Sequence, residues 1–152
     1  MRSPPQKNKT LAAWLAFIGG QVGLHRFYLY GWRDLWAWAH PLVAALGWWG
    51  VERVRMHGQD DHLAWVLIPL LGFTLAGTAL TGIYYGLMAP EKWNVIHNPA
   101  TPEAPAGYTN WLTIGAVVFA LLFGTISLMS SIVFSFQRYF EYQVEEARKI
   151  SQ

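Results

Sequence analysis

The chain has 152 residues, of which 53% are hydrophobic and only 13% are charged, and its formal net charge at neutral pH is +2. A soluble domain carries roughly 25% charged residues, and so small and dispersed a charge excludes the usual electrostatic basis for nucleic-acid binding. The lack of cysteine excludes disulfides, cysteine zinc ligands and a thiol nucleophile. This composition favours an all-α, polytopic integral membrane protein, with the lipid bilayer as its first partner.

A polar tail, residues 1–9, precedes the first apolar run, Leu11–Leu24. As a helix this run is about 21 Å long, which is shorter than the roughly 30 Å hydrocarbon core of a bilayer. Continuing the helix through residues 25–30 supplies the missing length. A second helix, Leu35–Val51, carries tryptophans near both ends, as spanning helices do. We therefore predict a helical hairpin of two spans over residues 10–52.

A second helical pair is predicted over residues 63–136, after a polar connection at residues 53–62. Its first member, Leu63–Met88, is long enough to span a bilayer with tilt. A proline-rich loop at residues 89–110 follows, in which the prolines forbid a long helix. The second member, Trp111–Phe136, has no charged residue. The fold class predicted is thus four transmembrane helices.

The last segment, residues 137–152, changes character from apolar to mixed. Phe136, Phe140, Val144 and Ala147 keep helical spacing on one side, with charged residues between them. This pattern is typical of an amphipathic helix. We predict that the fourth helix continues out of the membrane as an amphipathic C-terminal extension.

Small residues recur at intervals of four in three of the predicted helices. Small side chains let helix backbones approach closely inside a membrane. We therefore predict helix packing at Gly19, Gly23, Thr78, Gly82, Gly86, Ala120 and Gly124.

The first third of the chain also resembles a known family, the two-transmembrane-helix or TM-2 domain. That pattern has a lysine before the first helix, glycines near its end, a basic-aromatic cluster, and a second helix that closes on tryptophan and an acidic residue. Tyr30 stands where a glycine often follows the leucine, and Glu52 replaces the usual aspartate. The resemblance covers residues 9–52 and implies a small integral membrane protein with no catalytic residues to carry over. The matching residues are Lys9, Gly20, Gly23, His25, Arg26, Phe27, Tyr28, Leu29, Trp48 and Glu52.

The basic-aromatic cluster His25-Arg26-Phe27-Tyr28 is the first candidate for contact with a lipid or a partner. Arg26 has the chemistry to bind a lipid phosphate or a partner carboxylate. The alternative is that Arg26 has a structural role, in an ion pair with Asp34 at the same membrane face.

Other histidines have two interpretations each. His40 lies in a predicted span, where ionisable groups are often functional, but ligation would need a second ligand at the same depth. The group His57, Asp60, Asp61 and His62 has metal-ligand chemistry, whereas the simpler interpretation is that an aspartate caps the next helix. We predict no metal site and no cofactor.

If four helices span the membrane, the distribution of basic residues between its two sides predicts the topology. Eight basic residues then fall on the side of the N-terminal tail, residues 53–62 and the C-terminal tail, against three on the other side. This distribution predicts a protein of the cell membrane (inner or plasma membrane) with both termini in the cytoplasm. It also places Lys9 and Glu52 at one face, where they could pair.

No phosphate loop, nucleophile elbow or paired carboxylates in an apolar span occur in the sequence. We therefore expect a non-enzymatic small membrane protein without catalytic residues, a scaffold or an accessory subunit of a larger membrane complex. Its partners would be other membrane protein subunits or itself. The alternative is a homo-oligomeric channel or transporter-like protein for a small polar solute.

Overall fold

A computed structural model describes residues 5–151, and all the regular secondary structure of these residues is helical. Two 3₁₀ turns, Gly20–Val22 and Pro105–Gly107, interrupt the α-helices. In chain order the helices are α1 (Lys9–Gly19), α2 (Leu24–Tyr30), α3 (Leu35–His57), α4 (His62–Leu87), α5 (Pro90–His97) and α6 (Trp111–Ile150).

Each long helix begins at a side-chain cap. The side chains of Asp34 and Asp61 accept hydrogen bonds from the first-turn N–H groups of α3 and α4. Asn8 does the same for α1, and Asn110 forms a reciprocal capping box with Thr113 at the start of α6. These caps satisfy backbone donors that would otherwise be unpaired, and so they define where the helices start.

α4 is the centre of the bundle, and α1, α3 and α6 each pack against it in the antiparallel direction. Close approach occurs where small residues face the neighbouring helix, as at Gly82 against Ala13 of α1. The end of the bundle that contains Met88 and Thr109 is called the loop end below. The end that contains Gln59 and Arg138, which are hydrogen-bonded at 3.1 Å, is called the tail end.

The predicted bounds of the last three long helices need small changes. α3 continues to His57 rather than ending at Val51, and α4 spans His62–Leu87 rather than Leu63–Met88. α6 runs without interruption to Ile150, so the described part of the predicted C-terminal tail is helical.

The first predicted span is wrong, because the chain turns back after α1. The Tyr28 carbonyl oxygen in α2 accepts a hydrogen bond from Lys7 Nζ at 2.7 Å, and the Tyr28 hydroxyl accepts one from Asn8 N at 2.7 Å. Both ends of the α1–α2 segment therefore lie at the loop end. We call this segment, residues 9–30, the short hairpin. Its first arm is 11 residues, about 16 Å of helix, which is half of a bilayer core.

The short hairpin turns at Gly23, whose φ of 74° lies in the left-handed region. An added Cβ at this position would lie 2.3 Å from the Ala37 carbonyl oxygen of α3. That oxygen lacks its usual helical donor, because the residue four places on is Pro41, which has no N–H. A glycine with positive φ and a proline-freed carbonyl therefore meet at the turn.

The predicted pairing of Lys9 with Glu52 is also wrong. Lys9 is fully buried at the loop end, where its ammonium donates to the Met88 carbonyl at 2.9 Å and to the Thr109 hydroxyl at 2.6 Å. Glu52 pairs with Arg55 instead, at 2.8 Å. The described part of the N-terminal tail thus lies at the opposite end of the bundle from residues 53–62 and from the C-terminal extension. This contradicts their predicted placement on one side.

The proline-rich loop folds into a cap over the N-terminal segment. Trp93 of α5 is fully buried and donates from its indole N–H to the Lys7 carbonyl at 2.8 Å. Asn98 accepts from Lys7 N at 2.7 Å, and Asn94 donates to the Ala104 carbonyl at 2.8 Å. These contacts hold residues 7–9 in place and fix the start of α1.

Two helices of the described chain are long and apolar enough to cross a membrane, namely α4 and α6 together with the turn before it (Pro105–Ile150). Only 28% and 17% of their most apolar stretches are buried inside the structure. Most of this apolar surface is therefore exposed, unlike that of a core helix in a soluble protein.

Candidate functional site

The short hairpin brings two histidines together that are far apart in the sequence. The ring centroids of His25 in α2 and His40 in α3 are 5.3 Å apart, and the ring planes meet at 82°. Tyr85 of α4 also lies beside His25, with a centroid distance of 6.2 Å. We call His25 and His40 the histidine pair.

One ring nitrogen of His40 contacts a backbone carbonyl, and the other has no hydrogen-bond partner among residues 5–151. Its Nδ1 lies 2.8 Å from the carbonyl oxygen of Trp36, one turn earlier in α3. A carbonyl can only accept a hydrogen bond, so this contact places a proton on Nδ1. The side chain is half-buried.

His25 is only 2% exposed, and its Nδ1 has no hydrogen-bond partner within the described part of the chain. The side-chain oxygen of Gln21 at the turn of the hairpin is also buried without a partner, although Gln21 Nε2 donates to the Leu71 carbonyl at 2.9 Å. Buried polar atoms usually have a hydrogen-bond partner. Two buried polar atoms without one, close together in an apolar bundle, are therefore unusual.

The basic-aromatic cluster is otherwise engaged with its own chain. Arg26 Nε donates to Asp34 at 2.7 Å, which is the structural alternative stated above. The Asp34 pKa is lowered chiefly by this hydrogen bond. Phe27 packs on Trp32 at 4.8 Å between ring centroids. His25 is buried, and Tyr28 is bound to the N-terminal segment. The four residues of the cluster therefore contact other parts of the same chain.

An aromatic chain links Tyr85 to the cap. Tyr85 packs on Trp93 at 5.7 Å, and Trp93 packs on His97 at 4.2 Å between ring centroids. Burial lowers the pKa of His97, and the nearby charge of Lys7 lowers it further. Folding of the cap therefore favours neutral His97.

At the tail end, three of the four residues with metal-ligand chemistry have other partners. Asp61 caps α4 and binds Arg53 through two hydrogen bonds, at 2.6 and 3.1 Å. His57 Nδ1 contacts the Arg53 carbonyl at 3.2 Å, and the His62 ring packs on Trp65. Within residues 5–151, no group of three or more His, Cys, Asp or Glu side chains is placed to hold a metal ion.

The residues predicted to pack helices lie in buried contacts. An added Cβ would meet Ala37 at Gly23, Ala13 at Gly82, Val117 at Gly86 and Ala79 at Gly124. Gly19 faces Leu24 of the returning arm rather than a separate span, and Thr78 faces Gly20. Ala120 is fully buried.

Sequence reasoning missed the histidine pair because hydropathy does not show which helix faces meet. A continuous first span would also place His25 toward the same membrane face as His40, but the turn at Gly23 against Ala37 is what brings the two rings into contact. The available signal was the concentration of glycines directly before His25, at Gly19, Gly20 and Gly23, since glycine is the usual residue where a helix must reverse.

Comparison of the chain with protein-family models, with curated proteins and with solved structures finds no match.

Proposed function

We propose that the chain is a helical membrane protein that serves as a scaffold or accessory subunit and assembles with other helical subunits. The observation that carries this proposal is the outer face of α6. α6 has 40 residues, and the row Phe136, Phe140 and Val144 is exposed along its last third.

We infer that the exposed row packs against a partner helix. Tyr142 packs against His62 at the first turn of α4, with ring centroids 5.4 Å apart. Since successive helical residues are 100° apart, Phe140 and Val144 lie on the opposite face of α6 from Tyr142. They are 60% and 52% exposed and stand level with the start of α4 or beyond it. An apolar row in this position fits the groove of a partner helix.

In the membrane, α3, α4 and α6 would cross the bilayer, and the short hairpin would enter from the loop end and return. Non-helical backbone at membrane depth is tolerated where it is buried in protein, as it is at the Gly23 turn. Exposed aromatic residues at two levels support this placement, because such belts mark the two interfaces. They are Trp32, Trp36 and Trp111 toward the loop end, and Trp48, Trp49 and Tyr139 toward the tail end.

With this placement, the described N-terminal and C-terminal segments lie on opposite sides of the membrane. The excess of basic residues on one side, which favoured cytoplasmic termini, then disappears. Among the described residues, five basic side chains belong to each end. Those at the loop end are Lys7, Lys9, Arg26, Arg33 and Lys92, and those at the tail end are Arg53, Arg55, Arg138, Arg148 and Lys149.

Purification from the native source in a mild detergent tests the proposal. We expect unrelated membrane subunits to co-purify in fixed proportion with the wild-type chain. The double variant Phe140→Ser with Val144→Ser should lose them, and the matched surface variant Glu145→Ser should retain them. Elution of the wild-type chain alone as a monomer would contradict the proposal. A homo-oligomer without other subunits would favour the channel or transporter alternative.

A further inference from the structure

Two grooves follow each other along the contact between α4 and α6. One has a volume of about 340 Å³ and is lined by Phe73 of α4 and Leu128 of α6. The other has a volume of about 400 Å³, lies at the tail end, and is lined by Val66 of α4 and Ser135 of α6. Residues seven apart lie on the same face of an α-helix, so Val66 is in line with Phe73, and Ser135 is in line with Leu128. We call the two together the α4–α6 groove.

The length of this groove fits one acyl chain of one leaflet. Val66 and Gly77 are 11 residues apart, which is about 16 Å of helix. Half of a roughly 30 Å hydrocarbon core is about 15 Å. An acyl chain that enters beside Val66 would therefore end near Gly77. No described atom lies within 4 Å of a Cβ added at Gly77, so the groove has open space at this point.

The tail end of the groove changes from apolar to aromatic. The His62 ring lies 4.4 Å from the Trp65 ring and 5.4 Å from the Tyr142 ring, between centroids. Trp65 is held in place by a hydrogen bond from its Nε1 to the Gln59 carbonyl at 2.7 Å. Tryptophan and tyrosine concentrate at the level of the lipid headgroups. In the proposed placement of α4, this end of the groove therefore faces the headgroups of the leaflet at the tail end.

Arg138 supplies a positive charge at the same level. Its side chain lines the groove and is 16% exposed. Its Nη1 donates to Glu141 at 2.8 Å and its Nη2 donates to Gln59 at 3.1 Å. A guanidinium carries more N–H donors than these two, so donors remain for the oxygens of a phosphate. The Glu141 side chain is 46% exposed, so solvent screens its charge more than that of Arg138.

We propose that the α4–α6 groove binds one phospholipid of the leaflet at the tail end. An acyl chain lies along Val66, Phe73 and Gly77, and the phosphate lies at Arg138. An amphiphile fits both parts of the groove, because its apolar part extends inward and its anionic part stays at the interface. The inference rests on the proposed membrane placement of α4 and α6. It does not rest on assembly through Phe140 and Val144, which lie on another face of α6.

The test of the chain site is native mass spectrometry of the full chain, purified in detergent and titrated with palmitoyl-oleoyl phosphatidylglycerol. We expect one lipid to bind tightly to the wild-type chain. Gly77→Phe should weaken this binding at least tenfold, because the added ring occupies the space of the acyl chain. Ser130→Phe is the matched control, since Ser130 is also a small residue but lines a separate groove between α4 and α6. Equal losses in these two variants would overturn the proposal.

The headgroup site is tested by Arg138→Gln in the same titration. This variant should weaken binding of phosphatidylglycerol at least fivefold and leave binding of palmitoyl-oleoyl glycerol, which has no phosphate, unchanged. Arg148→Gln is the control, because Arg148 is an exposed basic residue outside the groove. Equal effects of the two arginine variants would overturn the proposal, as would equally tight binding of both lipids by the wild-type chain.

Arg138→Gln keeps the test valid if Gly77→Phe does not fold, since it changes only a partly exposed side chain. These outcomes are distinct from those that test the proposed function. A wild-type chain that co-purifies with other subunits but binds no lipid in the groove would overturn only the lipid site. A chain that stays soluble without detergent would contradict the membrane placement itself.

Discussion

The ammonium of Lys9 at the start of α1 donates a hydrogen bond to the carbonyl oxygen of Met88, the residue after α4, at 2.9 Å. This contact fixes the direction in which α1 enters the bundle, because it places the first residue of α1 beside the last turn of α4. The chain then turns at Gly23 and returns to the same end, where Lys7 holds Tyr28. The first apolar run therefore does not cross the bundle.

The turn of the short hairpin predicts a large effect of Gly23→Ala. A non-glycine residue in the left-handed region costs about 1–2 kcal/mol, and here its Cβ would also overlap the Ala37 carbonyl. Gly77→Ala is the control, since Gly77 lies within α4 with nothing within 4 Å of an added Cβ and no positive φ. We expect thermal unfolding in detergent to show a markedly larger loss for Gly23→Ala. Equal losses would mean that neither the backbone conformation of Gly23 nor its contact with Ala37 contributes to stability.

The cap predicts a pH dependence through His97. Burial and Lys7 lower its pKa in the folded protein below the ordinary value of 6.5. The unfolded chain therefore binds more protons than the folded one in the range between the two pKa values, so stability rises with pH there. As the pH falls through 6.5, the cap should lose stability until the folded pKa is passed.

Hydrogen exchange of the α5 amides at several pH values measures this effect. Intrinsic amide exchange slows as the pH falls, so each rate is compared with that of an unstructured amide at the same pH. The protection of the α5 amides should decrease below pH 6.5 in the wild-type chain, and much less in His97→Phe, which keeps a ring against Trp93. His57→Gln at the tail end should behave as wild type. An unchanged pH profile in His97→Phe would assign the effect to another group.

Asp61 at the tail end has two roles that substitutions can separate. It caps α4 through Leu63 N, and it binds Arg53. Asp61→Ala removes both interactions and should lower the Tm by about 2–4 °C, as expected for a lost N-cap. Asp61→Asn retains the cap and loses the ion pair, which is partly exposed and contributes less. Asp60→Ala should leave the Tm unchanged, and a loss there equal to that of Asp61→Ala would contradict this assignment.

Local patterns in the sequence predicted the helices that local signals define. α4 was placed within one residue at each end, because Asp61 precedes its apolar run and Pro90 follows it. The continuation of α6 followed from the spacing of Phe136, Phe140 and Val144. Propensity and periodicity act over a few turns of helix, and such signals are sufficient for these elements.

The short hairpin and the histidine pair depend on contacts between distant segments. Residues 11–30 are apolar and long enough to read as one span, so hydropathy could not reveal the turn. The first apolar run does not form one span, because Gly23 packs against Ala37 and because the cap holds Lys7 and Lys9. Such contacts override local preference only once α3, α4 and α5 are in place.

The chain has no cysteine, so single cysteines can report the side of the membrane on which a residue lies. Three exposed positions suit this purpose: Gln6 before α1, Glu103 in the cap and Ser151 after α6. Each is replaced by cysteine in turn, and a membrane-impermeant thiol reagent is applied to intact cells and to opened membranes. Labelling after opening the membranes verifies that each cysteine is reactive.

Whether Gln6→Cys reacts from the same side as Glu103→Cys tests most directly whether the first apolar run crosses the membrane. We predict that these two variants label together, and that Ser151→Cys labels only from the opposite side. Labelling of Gln6→Cys together with Ser151→Cys, with Glu103→Cys reacting from the other side, would show that the first apolar run crosses the membrane, and would contradict the short hairpin.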